Sequence, residues 1–263
     1  MANGRHPKKP DVSDDGVPTG AVLADSEAQL ERYASDIRRA YSAIRGLAKD
    51  LEEAYYDTMV RLLRAARFKD EETGAHLTRI SHYTRVVAAH LGLAQDVIER
   101  YATAAPLHDI GKIAIPDAIL GKRGALNPAE WTHMKTHAGV GASLLKGSRS
   151  AVIECAAEIA LSHHERFDGT GYPRGVVGTE IPLSGRIVML VDQYDALRSA
   201  RCYKPAFDHE KTSEIILHGD GRSMPAHFDP MLLEAYRAIG SDLAAIFERY
   251  ADAETPVDDE VAP

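Results

Sequence analysis

The sequence predicts an all-α protein. Apolar residues recur at helical spacing in one segment after another, and no apolar/polar alternation long enough for a useful strand interrupts them. The first long segment, Ser26 to Phe68, contains no proline and a single glycine. Within it Leu30, Ile37, Ile44, Leu51 and Thr58 repeat every seven residues, and Ala34, Tyr41, Ala48, Tyr55 and Leu62 form the complementary set. An a/d seam can therefore be written over five heptads, with Glu31, Arg38, Arg39, Lys49 and Glu52 off it. That pattern predicts a parallel two-helix coiled coil over residues 26–68, which would dimerise the chain and carry a signal. The competing expectation is an amphipathic helix folded back on its own domain.

The other elements follow in order. Residues 1–25 mix Pro, Gly, Asp and Lys without periodicity and are expected to be disordered. A helix is expected from Asp70 to His90, closed by Leu91-Gly92, and another from Ala94 to about Leu107. Asn127-Pro128-Ala129-Glu130 reads as a helix start, with Asn as N-cap, Pro at the first position and Glu in the first turn. That helix carries Trp131, Met134 and His137, and Gly139 is expected to separate it from Val140 to Leu145. Val152–Leu161, Ser184–Leu197, His209–His218 and Asp229–Arg249 complete the helices, and the acidic tail 251–263 is expected to be disordered.

Composition narrows the function. An apolar share of 44% and a charged share of 27% are those of a globular protein able to bury a core. A net charge of −8 argues against a general binder of nucleic-acid polymers, which needs a basic surface. Cys155 and Cys202 are the only cysteines and do not make a CxxC pair, so neither a thiolate zinc site nor a disulfide framework is expected. No apolar run has transmembrane length and the start has no apolar signal region, so the expectation is a soluble, cytoplasmic protein with no membrane partner.

The chemistry concentrates in two stretches. In His163-His164-Glu165-Arg166-Phe167-Asp168-Gly169-Thr170-Gly171-Tyr172-Pro173, a histidine pair ends an apolar helical run and opens a loop that glycines and a proline impose. Vicinal imidazoles can serve two different metals, or one metal and a substrate oxygen. Upstream, His108-Asp109-Ile110-Gly111-Lys112 gathers imidazole, carboxylate and ammonium around a glycine. Taken singly, any of these histidines is more often structural or solvated than a ligand.

Together, HDIGK, HH and DGTGYP in that order resemble the HD-GYP family, metal-dependent phosphohydrolases of the HD type that hydrolyse cyclic di-GMP. The resemblance runs from about Lys69 to about Tyr236 and implies an HD-type helical bundle as the catalytic domain over 69–250. It also implies a ligand set of Glu72, His76, His108, Asp109, His137, His163, His164 and Asp192, since each matches a ligand position of the family motif. Glu72 and His76, four apart in a helical stretch, share one face. Five imidazoles and three carboxylates, without sulfur, suit Fe or Mn, with Zn or Co as alternatives, rather than Ca or Mg. Eight ligands are too many for one ion, so two or three divalent ions are expected. The residue similar to Asp109 bridges metals in the family, and a glutamate like Glu72 goes there with a third ion. His82, His90, His133, His209, His218 and His227 have no motif partner and are read as structural or solvated, and Asp195 as ordering its own helix.

The implied reaction is attack of a metal-bridging hydroxide on phosphorus, opening cyclic di-GMP to linear pGpG or on to GMP, with Asp109 and Lys112 as catalytic groups. Lys112 would face the non-bridging oxygens, Arg201 and Lys204 match a basic pair that binds substrate phosphates, and Tyr172 would stack on guanine or hold the loop over the site. The family also implies docking of the GYP loop on GGDEF-type diguanylate cyclases. Arg198 and Cys202 depart from the family's usual Thr and Pro, so a substrate pocket of different shape is an expectation here. The alternatives are a non-catalytic cyclic-dinucleotide sensor, or an HD phosphohydrolase acting on another nucleotide.

Overall fold

A computed structural model describes residues 19–67, 74–199 and 206–251. Among them every regular element is helical. The chain separates into two units, Met1–Met59 and Val60–Pro263.

Helix α1, Thr19–Arg67, starts seven residues before the expected Ser26, so residues 19–25 are helical instead of disordered. On its first unit the seam residues Leu30, Ile37, Ile44 and Leu51 are all exposed.

In the second unit α2 (Gly74–His90) and α3 (Gln95–Ala104) lead into two 3-10 turns, Ala105–Leu107 and Ile110–Ala114. The short α4 (Asp117–Leu120) precedes α5 (Pro128–Met134), α6 (Thr136–Leu145) and α7 (Ala151–Ser162). After the GYP loop come α8 (Leu183–Arg198), α9 (His209–His218) and α10 (Pro230–Arg249). One wall packs α2 against α8 and α10, a second packs α6 against α7, and α7 joins them through α3 and α8. The core between is apolar and aromatic: Ile80, Tyr83, Leu107, Ile159, Ile187, Leu190, Tyr194, Ile216 and Tyr236 are all buried. Full burial of side chains of this size contributes roughly 1.5–3 kcal/mol each.

The Asn127 helix start is realised as a capping box. The Glu130 backbone N–H donates to Asn127 Oδ1 at 2.9 Å, and the Asn127 N–H donates to the Glu130 carboxylate at 2.7 Å. The break before the next helix falls at Lys135 rather than at Gly139, which lies inside α6. A single glycine costs a helix only about 1 kcal/mol and need not end it.

Two glycines are required for a different reason. A Cβ on Gly111 would stand 2.0 Å from the His137 carbonyl oxygen, so the turn after His108-Asp109 lies directly on α6. A Cβ on Gly171 would meet the Arg166 nitrogen at 2.2 Å, which ties the GYP loop to the chain just after the histidine pair. Both contacts draw backbone segments toward one point.

Candidate metal centre

That point is lined by side chains from α2, the HDIGK turn, α6, the end of α7 and α8. Donor atoms of Asp109, His137, His163 and His164 lie within 4.8 Å of one another, and so do those of His76, His108 and Asp192. Asp109 stands between the groups. Its Oδ1 is 3.1 Å from His137 Nε2 and 3.4 Å from His163 Nε2, while Oδ2 is 3.3 Å from His108 Nε2. Asp192 Oδ1 lies 3.8 Å from both His76 Nε2 and His108 Nε2.

The ring tautomers follow from what each Nδ1 touches. His108 Nδ1 is 3.0 Å from the Ala105 carbonyl, His137 Nδ1 is 2.7 Å from the Met134 carbonyl, and His163 Nδ1 is 3.0 Å from the Ala160 carbonyl. A carbonyl only accepts, so each Nδ1 carries the proton and the neutral ring turns its Nε2 lone pair inward. His76 does the same through Asp195, whose Oδ2 accepts from its Nδ1 at 2.8 Å. The outcome is visible between His137 and His163, whose Nε2 atoms face each other at 3.4 Å. Two lone pairs at that distance repel unless a cation lies between them, and histidines anchored at the second nitrogen are the usual metal-ligand arrangement.

The electrostatics agree. Burial, then the adjacent His163, holds His164 well below the ordinary histidine pKa, and burial lowers His163 as well. Neutral imidazole is the form that binds metal. Burial would raise the Asp109 pKa, but the Lys112 ammonium holds it well below the carboxylate range. Lys112 Nζ sits 2.7 Å from Asp109 Oδ2, which places its charge at the centre. The Tyr172 ring lies 4.6 Å from that of His164. The Tyr172 backbone N–H donates to the His164 carbonyl at 3.1 Å, and burial raises the side-chain pKa, so the phenol keeps its proton.

Seven of the eight expected ligands thus converge, together with Lys112 and Tyr172. Glu72, Arg201 and Lys204 lie outside the described residues. Of the histidines set aside, His133 is exposed, whereas His227 and His209 take ordinary polar contacts, with the Met224 N–H and the Tyr194 hydroxyl.

Sequence reasoning missed the reach of Asp195. It does not merely order its own helix: it accepts from Arg79 Nε at 2.6 Å, from a second Arg79 nitrogen at 2.8 Å and from the Tyr83 hydroxyl at 3.1 Å, besides orienting His76. The signal was present in the spacing. Arg79 follows His76 by three residues and Asp195 follows Asp192 by three, so α2 and α8 each present a donor-set residue and one member of the Arg79–Asp195 pair on one face.

A family profile described as the HD domain matches residues 61–232. A cyclic di-GMP phosphodiesterase of Vibrio cholerae is 44% identical over 208 residues, which cover 74% of this chain and 42% of that protein. A 3'3'-cGAMP-specific phosphodiesterase of the same organism is 39% identical over 205 residues, 78% of this chain and 38% of the relative. The chain therefore spans about half the length, or less, of these curated relatives. Among solved structures, a cyclic GMP-AMP-specific phosphodiesterase of V. cholerae superposes with a TM-score of 0.53 at 18% identity, covering 75% of this chain and 53% of that one, which supports the helical fold. No described helix is long and apolar enough to cross a membrane. With its profile match, its helical fold and the HDIGK, HH and GYP motifs gathered around one centre, the chain belongs to the HD-GYP branch of the HD domain family.

Proposed function

We propose that this chain is a metal-dependent phosphodiesterase that hydrolyses cyclic di-GMP to linear pGpG or GMP. The observation that carries the reading is the Asp109 carboxylate, whose two oxygens each face a different group of inward-turned imidazoles. His137, His163 and His164 would hold one divalent ion and His76, His108 and Asp192 another, with Asp109 shared between them and Glu72 available to a third. The donor chemistry favours Fe or Mn. Such ions supply a nucleophile from water at neutral pH and neutralise charge on the phosphate.

The chain's own groups do the rest. Lys112 Nζ holds a positive charge beside Asp109 and, on arrival of the phosphate, is placed to share it with a non-bridging oxygen. The Tyr172 phenol, still protonated, can donate to an oxygen of the substrate while its ring closes one side against water. Arg201 and Lys204 would take the second phosphate. The same reading makes the chain a cytoplasmic homodimer through residues 26–68, with the GYP loop as the docking point for a GGDEF-type cyclase.

A second substrate has a specific ground, the 39% identity to the 3'3'-cGAMP-specific relative. The test is anaerobic loading with Fe(II) or Mn(II), then product analysis on cyclic di-GMP and 3'3'-cGAMP side by side. Faster turnover of cyclic di-GMP to pGpG or GMP is expected. Preference for 3'3'-cGAMP would move the assignment to the hybrid dinucleotide, and full metal loading without hydrolysis of either would leave a sensor.

A further inference from the structure

Trp131 is the only tryptophan in the chain, and it is 47% exposed at the edge of the metal centre. Its ring centroid lies 6.1 Å from that of Tyr172, with the planes at 80°. Tyr172 is in turn the ring that covers His164 and stands 6.2 Å from His137. Trp131 is therefore one aromatic ring out from the proposed metal ligands, and the half-buried Lys135 places its Nζ 6.0 Å from the same Tyr172 ring. The capping box at Asn127 fixes the helix that carries it.

An indole left half in water forgoes much of the apolar burial that usually holds this side chain in a fold. Two rings near a right angle form a corner. A planar heterocycle stacked on one of them presents its edge to the other, the geometry aromatic groups prefer. Lys135 Nζ lies 6.0 Å from the Tyr172 ring and Lys112 Nζ 2.7 Å from Asp109, so positive charge stands both beside the corner and at the centre a phosphate would reach.

We infer that Trp131 and Tyr172 form a purine-base subsite beside the metal centre, with Trp131 the residue that sets how tightly the base is held. This rests on the reading that the substrate is a cyclic dinucleotide. It adds a specificity residue outside the motifs and assigns the base, not the phosphate, to α5.

Because Trp131 is the sole tryptophan, its fluorescence reports the subsite directly. The metal-loaded chain is titrated with GMP and with ribose 5-phosphate, which has the sugar and phosphate but no base, while hydrolysis of cyclic di-GMP is measured on wild type, Trp131→Ala and Trp131→Phe. Quenching by GMP but not by ribose 5-phosphate is expected. Trp131→Ala should raise KM about ten-fold with kcat nearly unchanged, the loss appropriate to one base–aromatic stack, and Trp131→Phe should recover most of it. Hydrolysis with an unchanged KM in Trp131→Ala, with or without a lowered Tm, overturns the subsite and leaves the enzyme reading intact. Absence of both GMP binding and hydrolysis in metal-loaded wild type overturns the enzyme reading and this inference with it.

Discussion

The two donor groups of the centre are held by different means. His137 and His163 are turned by carbonyls of the helix or turn just before them, those of Met134 and Ala160, and His108 uses Ala105 in the same way. These anchors are local backbone atoms, which no substitution removes. His76 depends instead on the side chain of Asp195, 119 residues away on α8, which is itself gripped by Arg79 and Tyr83. One group is oriented as soon as its helix ends form. In the other, His108 is oriented locally as well, but His76 is oriented only once α2 and α8 have packed, and a single substitution can undo that.

The largest effect that would sharpen this contrast is on stability. Asp195→Ala leaves the Arg79 guanidinium buried beside Phe247 without its carboxylate. Removing one member of a buried pair costs about 3–5 kcal/mol, so urea unfolding should show a drop of that order. A loss under about 1 kcal/mol would mean that water or another acceptor replaces Asp195 and that the long-range anchor is weak.

A milder change separates the groups. Asp195→Asn keeps an acceptor for His76 but removes the charge. Metal titration against a chelator should find the His76–His108–Asp192 group weakened about 10–100-fold, as for other partners of a ligating histidine. The His137–His163–His164 group should stay near wild type. Equal weakening at both would break the distinction between local and long-range anchoring.

The smallest expected effect concerns the rigidity of the locally anchored side. Cys155 is buried on α7, the helix that ends in His163, and burial pushes its thiol up to about 12. At pH 8 the thiol is therefore protonated and should label with iodoacetamide far more slowly in the folded chain than in urea, as peptide mapping of that site would read. Rapid labelling of the folded chain would mean that α7 opens, and with it the carbonyls that orient His163.

The same division decides what could be read from the sequence. HDIGK, the histidine pair, His137 and Asp192 were legible as motif residues, and the structure brings their side chains together, with local carbonyl anchors for His108, His137 and His163. The helical class and the Asn127 cap were legible because both are set by neighbours in the chain. Asp195 was visible only as a residue three after Asp192. Its partners Arg79 and Tyr83 lie 116 and 112 residues away, a pairing made by helix packing that no local pattern encodes. The break at Lys135 was misplaced to Gly139 because propensity marks glycine as a breaker, while packing of α6 on α7 and on the HDIGK turn carries the helix through it. Trp131 was placed on its helix, but its exposure beside Tyr172 depends on how the GYP loop folds back.

If Asp109 is shared by both donor groups, its loss should empty both of metal. Ions per chain should be counted by elemental analysis in anaerobically loaded wild type and Asp109→Ala, with circular dichroism confirming that the variant is folded. Two or more ions in the wild type, and loss from both groups with activity abolished in the variant, is the predicted result. A folded Asp109→Ala that keeps the wild-type complement of metal, or wild-type turnover, would contradict it.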